Sequence, residues 1–188
     1  MKKFYPKRLY LRVKCLLYEE GQMAAKEFVY KHTVYFNETN SMGGVVYFSN
    51  FIKWQGMVRE EFFMRAFPAW KDVMKLVMAG SANMITVEEH SRFLRHAFFG
   101  DTVIIKLQTA NLKKCSFDLV FKMYRNSEHE LIYEGWQRLT FDDYKGNFIP
   151  IPEPFRETIL EYQVSEGEYK RSSMRSERLR VPPASKES

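Results

Sequence analysis

The sequence predicts an α+β fold in which an antiparallel, curved β-sheet wraps around one long central α-helix. Within residues 36–67 lies a run of helical length that is apolar over most of its circumference. Segments 102–112, 116–124 and 130–141 alternate apolar and polar residues, the period of half-buried strands. Their joints, 113–114 and 125–128, are so short that neighbouring strands must run antiparallel. A helix with this much apolar surface has to be enclosed, and a sheet of four or more strands can enclose it. The 188 residues, 45% hydrophobic and 16% aromatic, suffice for one domain with a sizeable core.

Residues 1–22 read as a basic extension, 23–164 as the domain and 165–188 as a disordered charged tail. Arg12 and Lys14 interrupt the apolar segment that a secretion signal would need, and Leu9, Leu11, Val13 and Cys15 alternate as in a short strand. Met23 is an alternative start of the domain. A first strand is expected over 26–36, then a turn at Gly43-Gly44. The central helix should have Ser49 as its N-cap and should stop at Pro68, which lacks an amide donor. A short helix over 69–79 ends at Gly80, and a strand follows over 81–94. Residues 95–101 form a turn ahead of the three alternating strands. Residues 142–147 turn again, 148–152 add an edge segment, and 154–162 form a last helix.

The formal net charge is +6, but residues 1–22 carry +4 and 165–188 carry +2, so the domain is neutral. A nucleic-acid-binding face is therefore unsupported. No run of 18 apolar residues occurs, so no membrane span is expected. Cys15 and Cys115 form no C-x-x-C pair, which fits a reducing, cytoplasmic setting. His32, His90, His96 and His129 lack metal-ligand spacing and read as surface or turn residues. Ser41 and Ser49 have no neighbouring histidine, and Gly43-Gly44 alone is no phosphate loop, so neither a catalytic triad nor a cofactor is expected.

The helical wheel gathers Ile52, Phe62, Phe63 and Ala66 on one face, flanked by Phe51 and Phe67, and places Gln55 and Arg59 in the middle of it. Lys53, Glu60, Glu61 and Arg65 point elsewhere. An arginine in an apolar stripe must pair, snorkel out or face a wet pocket. Glu38 reads as a structural partner rather than a base, and Tyr47 as either an acyl-site wall or a core aromatic.

The ordered set Glu38-Thr39-Asn40, Gly43-Gly44, Val45-Val46-Tyr47-Phe48, Asn50-Phe51, Phe99-Gly100-Asp101 and Glu134-Gly135 resembles the signature of hotdog-fold thioesterases of the 4-hydroxybenzoyl-CoA thioesterase type. The resemblance covers about 26–145. Two positions depart from it: the usual catalytic aspartate is Asn40, and the frequent histidine after the tyrosine is Phe48. An amide has no useful basicity near neutral pH, so Asn40 cannot serve as general base or nucleophile. E-T-N followed by Trp54-Gln55-Gly56-Met57-Val58-Arg59-Glu60 is similar to the thioesterases of enediyne polyketide pathways.

That resemblance implies hydrolysis of an acyl or polyketide thioester on an acyl carrier protein without a catalytic carboxylate. Asn40 and Arg59 would be the catalytic side chains, and Gly44, Val46, Tyr47, Phe48 and Gln55 would bind substrate. It also implies a homodimer or homotetramer with active sites at the interface. Helix N-terminal amides around Val46 to Asn50 would supply donors for the carbonyl oxygen. The alternatives are an acyl-CoA thioesterase of broader specificity and a non-catalytic hotdog module that binds an acyl group. Acyl carrier proteins are acidic, so Lys2, Lys3, Lys7 and Arg8 are candidates for steering such a partner.

Overall fold

The computed structural model describes residues 25–40, 43–68, 70–80 and 82–165. The expected N-terminal extension, its steering lysines and all of the expected tail except Ser165 lie outside the described residues.

Strand β1 (Phe28–Thr33) leads through a 3-10 turn (Phe36–Glu38) and the glycine loop into helix α1 (Phe48–Ala66). Helix α2 (Trp70–Met78) follows, then β2 (Asn83–Phe93), β3 (Thr102–Ala110), β4 (Ser116–Arg125), β5 (Leu131–Asp142), β6 (Phe148–Ile149) and helix α3 (Glu153–Glu161). The six strands make one antiparallel sheet in the order β1-β3-β4-β5-β2, with β6 added beside β5. The expected hotdog arrangement is the one observed.

The alternation that marks β4 in the sequence is the alternation of the two sheet faces. Phe117, Leu119, Phe121 and Met123 are fully buried and join Val103, Ile105, Leu107, Leu139 and Phe141 from neighbouring strands. Helix α1 lies in this concavity with Phe51, Trp54, Gln55, Val58, Phe62 and Phe63 buried. Phe62 meets Phe28 of β1 edge-on at 5.4 Å, and Phe51 stacks on Tyr133 of β5 at 5.5 Å. Burial of one such aromatic contributes about 1.5–3 kcal/mol, so this layer dominates the stability.

Three local expectations need correction. The first strand ends at Thr33 rather than continuing to 36, because the Glu38 carboxylate accepts the Tyr35 amide at 2.8 Å and bends the chain into the 3-10 turn. Helix α1 begins at Phe48 with Tyr47 as its N-cap, so Ser49 lies inside the first turn and does not cap it. The true centre of the buried face is Phe51, Gln55, Val58 and Phe62, while Arg59 and Ile52 lie half-buried at its margin. Phe63 drew the wheel off centre: it faces the C-terminal helices, stacking on Trp70 at 5.5 Å and lying 5.8 Å from Phe155. Gly43 and Gly44 adopt φ of 106° and 69°, a conformation that L side chains rarely take, and so let the chain double back into α1.

Candidate active site

The entry to α1 is fixed by one buried carboxylate. Glu38, 6% exposed, accepts from Trp54 Nε1 at 2.7 Å, from His32 Nε2 at 2.9 and 3.0 Å, and from the Tyr35 amide. Burial disfavours its charge, but the bonds from Trp54, Tyr35 and His32 outweigh that and hold the carboxyl below its ordinary value. Its backbone oxygen accepts the Tyr47 amide at 3.1 Å and Asn50 Nδ2 at 2.6 Å. Glu38 is thus the structural partner expected of it. His32, read from the sequence as a surface or turn residue, is instead part of this partly buried cluster on β1.

Asn40 follows at once. Its amide donates to Val45 O at 2.9 Å, which closes the glycine loop, while its side chain is exposed and has no hydrogen-bond partner among the described residues. Of the helix-entry amides, Val46, Tyr47 and Asn50 are consumed by Ala97 O, Glu38 O and Tyr47 O. Phe48 and Ser49 keep amides at the helix N-terminus that have no partner among the described residues. The expected donor set therefore narrows to these two. Val46 is 5% exposed, so both its side chain and its amide are engaged within the chain. Tyr47 and Phe48 are 54% and 52% exposed with rings 4.7 Å apart, which excludes the core-aromatic reading of Tyr47. Gly44 accepts the Phe99 amide and has open space where a Cβ would stand.

Arg59 lies eleven residues into α1 from Phe48, about 16 Å along the axis at 1.5 Å per residue. Among the described residues no hydrogen bond joins it to Asn40. Its Nη1 donates to Thr86 Oγ1 at 2.9 Å and to Gln137 Oε1 at 3.3 Å. Among the described residues no carboxylate pairs with it, and its Nε and Nη2 have no partner. Burial pushes its pKa below the ordinary value, with Glu60 opposing. Thr86 sits beside the one irregularity in the β2–β5 ladder, between Thr86 and Glu88.

Gln55 is fully buried and its amide is spent inside the fold. Its Oε1 accepts Gln137 Nε2 at 2.6 Å, and its Nε2 donates to the Tyr133 hydroxyl. Tyr133 bonds Ser91 at 2.6 Å, and Ser91 donates to Glu89. Burial above all, with help from Glu89, raises the Tyr133 pKa against the opposing bonds with Ser91 and Gln55. Gly135 makes room for this crossing, since a Cβ there would stand 2.5 Å from His90 O and 2.9 Å from Gln55 Nε2. Ser91, Glu89 and Tyr133 were missed from the sequence, because only the β2–β5 register brings them under the helix. Among the described residues no cluster of His, Cys, Asp or Glu could hold a metal ion, and no helix is long and apolar enough to cross a membrane.

A curved antiparallel sheet wrapped around one helix is the architecture of the hotdog fold. The chain belongs to the Thioesterase-like superfamily, whose family model matches residues 34–159. No curated protein sequence is matched. Among solved structures, the chain is similar to the dynemicin thioesterase, described with polyene binding, at 26% identity and a TM-score of 0.66, covering 74% of this chain and 99% of that one. It is similar in fold to a 1,4-dihydroxy-2-naphthoyl-CoA thioesterase from Synechocystis, at 18% identity and a TM-score of 0.65, covering 72% and 96% of the two chains. A variant of 4-hydroxybenzoyl-CoA thioesterase bound to 4-hydroxybenzoyl-CoA gives 18% identity and a TM-score of 0.62, covering 72% and 99%.

Proposed function

We propose that the protein hydrolyses the thioester of an acyl or polyketide chain on an acyl carrier protein, with Asn40 and Arg59 as its key side chains. The observation that carries this reading is Arg59: a half-buried cation with no carboxylate partner among the described residues and with two nitrogens unused. A cation held this way is arranged to stabilise negative charge that arrives with the substrate. The Phe48 and Ser49 amides and the open side chain of Asn40 add donors for a carbonyl oxygen and a water.

The backbones of Phe48 and Arg59 are offset by about 16 Å along α1 in one chain, so a second copy is part of the reading. Strand β2 is an 11-residue edge, largely exposed. Two such edges pairing antiparallel about a twofold axis set the two α1 helices side by side and antiparallel. The helix entry of one protomer then approaches the Arg59 flank of the other. In this arrangement Tyr47, Phe48 and Gly44 line the mouth of the acyl site, while Gln55 and Val46 act from behind by holding the frame. The polyene binding of the dynemicin thioesterase, at 26% identity, supports a long polyketide-like acyl chain, and the CoA thioesterases of the same fold make acyl-CoA the rival to a carrier protein. A cytoplasmic setting belongs to this reading.

The test is release of free thiol from matched acyl-carrier-protein and acyl-CoA substrates. Faster turnover of the carrier-protein thioester supports the proposal, and faster turnover of acyl-CoA replaces it with the CoA reading. Binding without release in both would leave a non-catalytic acyl-binding module.

A further inference from the structure

The polar side chains under α1 form a single directed chain. A carboxylate only accepts, so Ser91 donates to Glu89 and its oxygen is left to accept from Tyr133. Tyr133 in turn accepts from Gln55, Gln55 accepts from Gln137, and Gln137 accepts from Arg59. Every donor points the same way, from a cation at one end to an anion at the other, the arrangement in which successive bonds polarise one another. The chain also doubles back. Glu89 is the register partner of Gln137, so their Cβ atoms are roughly 5 Å apart, and Gln137 is the residue that receives Arg59. Glu89 is exposed, and with Thr86, Ser91 and Phe93 it shares the face of β2 turned toward the helix. Glu88, His90 and Arg92 point to the opposite face.

An acid on the helix-facing side of an edge strand costs packing without adding any, and here five side chains are ordered to aim it. Resting on the thioesterase reading above, but departing from the carboxylate-free mechanism that the resemblance implies, we propose that Glu89 is the general base of the hydrolysis, supplying from β2 the carboxylate that position 40 lacks. A water held by Glu89 attacks the thioester carbon. As the carbon–oxygen bond forms, one water proton passes to Glu89 and the carbonyl electron pair moves onto oxygen, where Arg59 and the helix-entry amides receive it. Collapse restores the carbonyl and breaks the carbon–sulfur bond, and the proton leaves Glu89 with the sulfur as free thiol. The groups that face Glu89 are Ser91 on its own strand and Tyr133 and Gln137 on β5, while Gln55 and Arg59 on α1 reach it only through those two.

The experiment compares wild type, Glu89→Gln and Glu88→Gln for thiol release from an octanoyl carrier protein and octanoyl-CoA across pH, with urea midpoints as the check on folding. Glu89→Gln keeps the shape and a bond to Ser91. It should fold normally, keep KM within a few-fold, lose about 100-fold or more in kcat, and lose the acidic limb of the pH–rate profile. Glu88→Gln, on the other face and bonded to Arg138, should stay at wild-type activity. If Glu89→Gln does not fold, Ser91→Ala takes its place, and it should lower kcat while keeping the limb. A Glu89→Gln enzyme within threefold of wild type at every pH overturns the assignment and leaves the thioesterase reading intact. A wild-type protein that releases no thiol from either substrate overturns both.

Discussion

Replacing Glu38 with glutamine should unfold the entry to α1 at a cost that can be worked out from its partners. Oε1 accepts from Trp54 and His32, and Oε2 accepts from His32 and the Tyr35 amide. Whichever way an amide is turned in this site, its NH2 group faces a donor, so at least one buried N–H is left without an acceptor. That costs about 1–3 kcal/mol, and the surviving bonds lose their charge assistance. A total near 3 kcal/mol should lower the melting temperature by roughly 6–12 °C for a domain of this size. The pH dependence has a definite sign. The folded carboxyl sits below its ordinary value, so its stabilisation is complete above a pH of about 4.3 and is lost as pH falls through the folded value. Urea unfolding of wild type and Glu38→Gln at neutral and at acid pH reads both effects. The gap should be large at neutral pH and narrow in acid. A variant within 0.5 kcal/mol of wild type at neutral pH, or a gap that stays constant, would refute the hub role (about the resolution of such a comparison).

Three further outcomes follow from the same contacts. Gly135→Ala puts a Cβ at 2.5 Å from a backbone oxygen that cannot swing away, and should lower the urea midpoint by an amount equivalent to about 1–3 kcal/mol. Light scattering at micromolar concentration should give a dimer or tetramer, and a charge placed at Val87 on the exposed edge should shift it toward monomer; a wild-type monomer counts against the composite site. Arg59→Lys should fold well and stay impaired in turnover, because a point charge cannot reproduce the planar fork; full activity would mean that charge alone suffices.

The elements whose pattern is local were legible. Cys115, Phe117, Leu119, Phe121 and Met123 alternate because β4 has one face on the helix and one away from it, and a period of two records that directly. Helix α1 announced itself by length and apolarity, and Pro68 by its missing donor. What the sequence concealed depends on contacts between elements. The 3-10 turn at Phe36–Glu38 arises from a carboxylate reaching back to an amide, which leaves no mark on the alternation. The wheel treated α1 as if it faced one surface, but its C-terminal half is covered on a second side by α2 and α3. Arg59 was recognised as unusual all the same, since an arginine beside so many phenylalanines is anomalous at any offset. The chain from Arg59 to Glu89 spans two strands and a helix, and it becomes visible only once the register is known.

Turnover of folded variants decides whether Arg59 and Asn40 act on a thioester. Thiol release from an acyl carrier protein thioester should fall about 100-fold or more in Arg59→Ala and in Asn40→Ala, as for loss of a preorganised donor, while circular dichroism shows both folded. Full activity of folded Arg59→Ala and Asn40→Ala would remove both side chains from the mechanism.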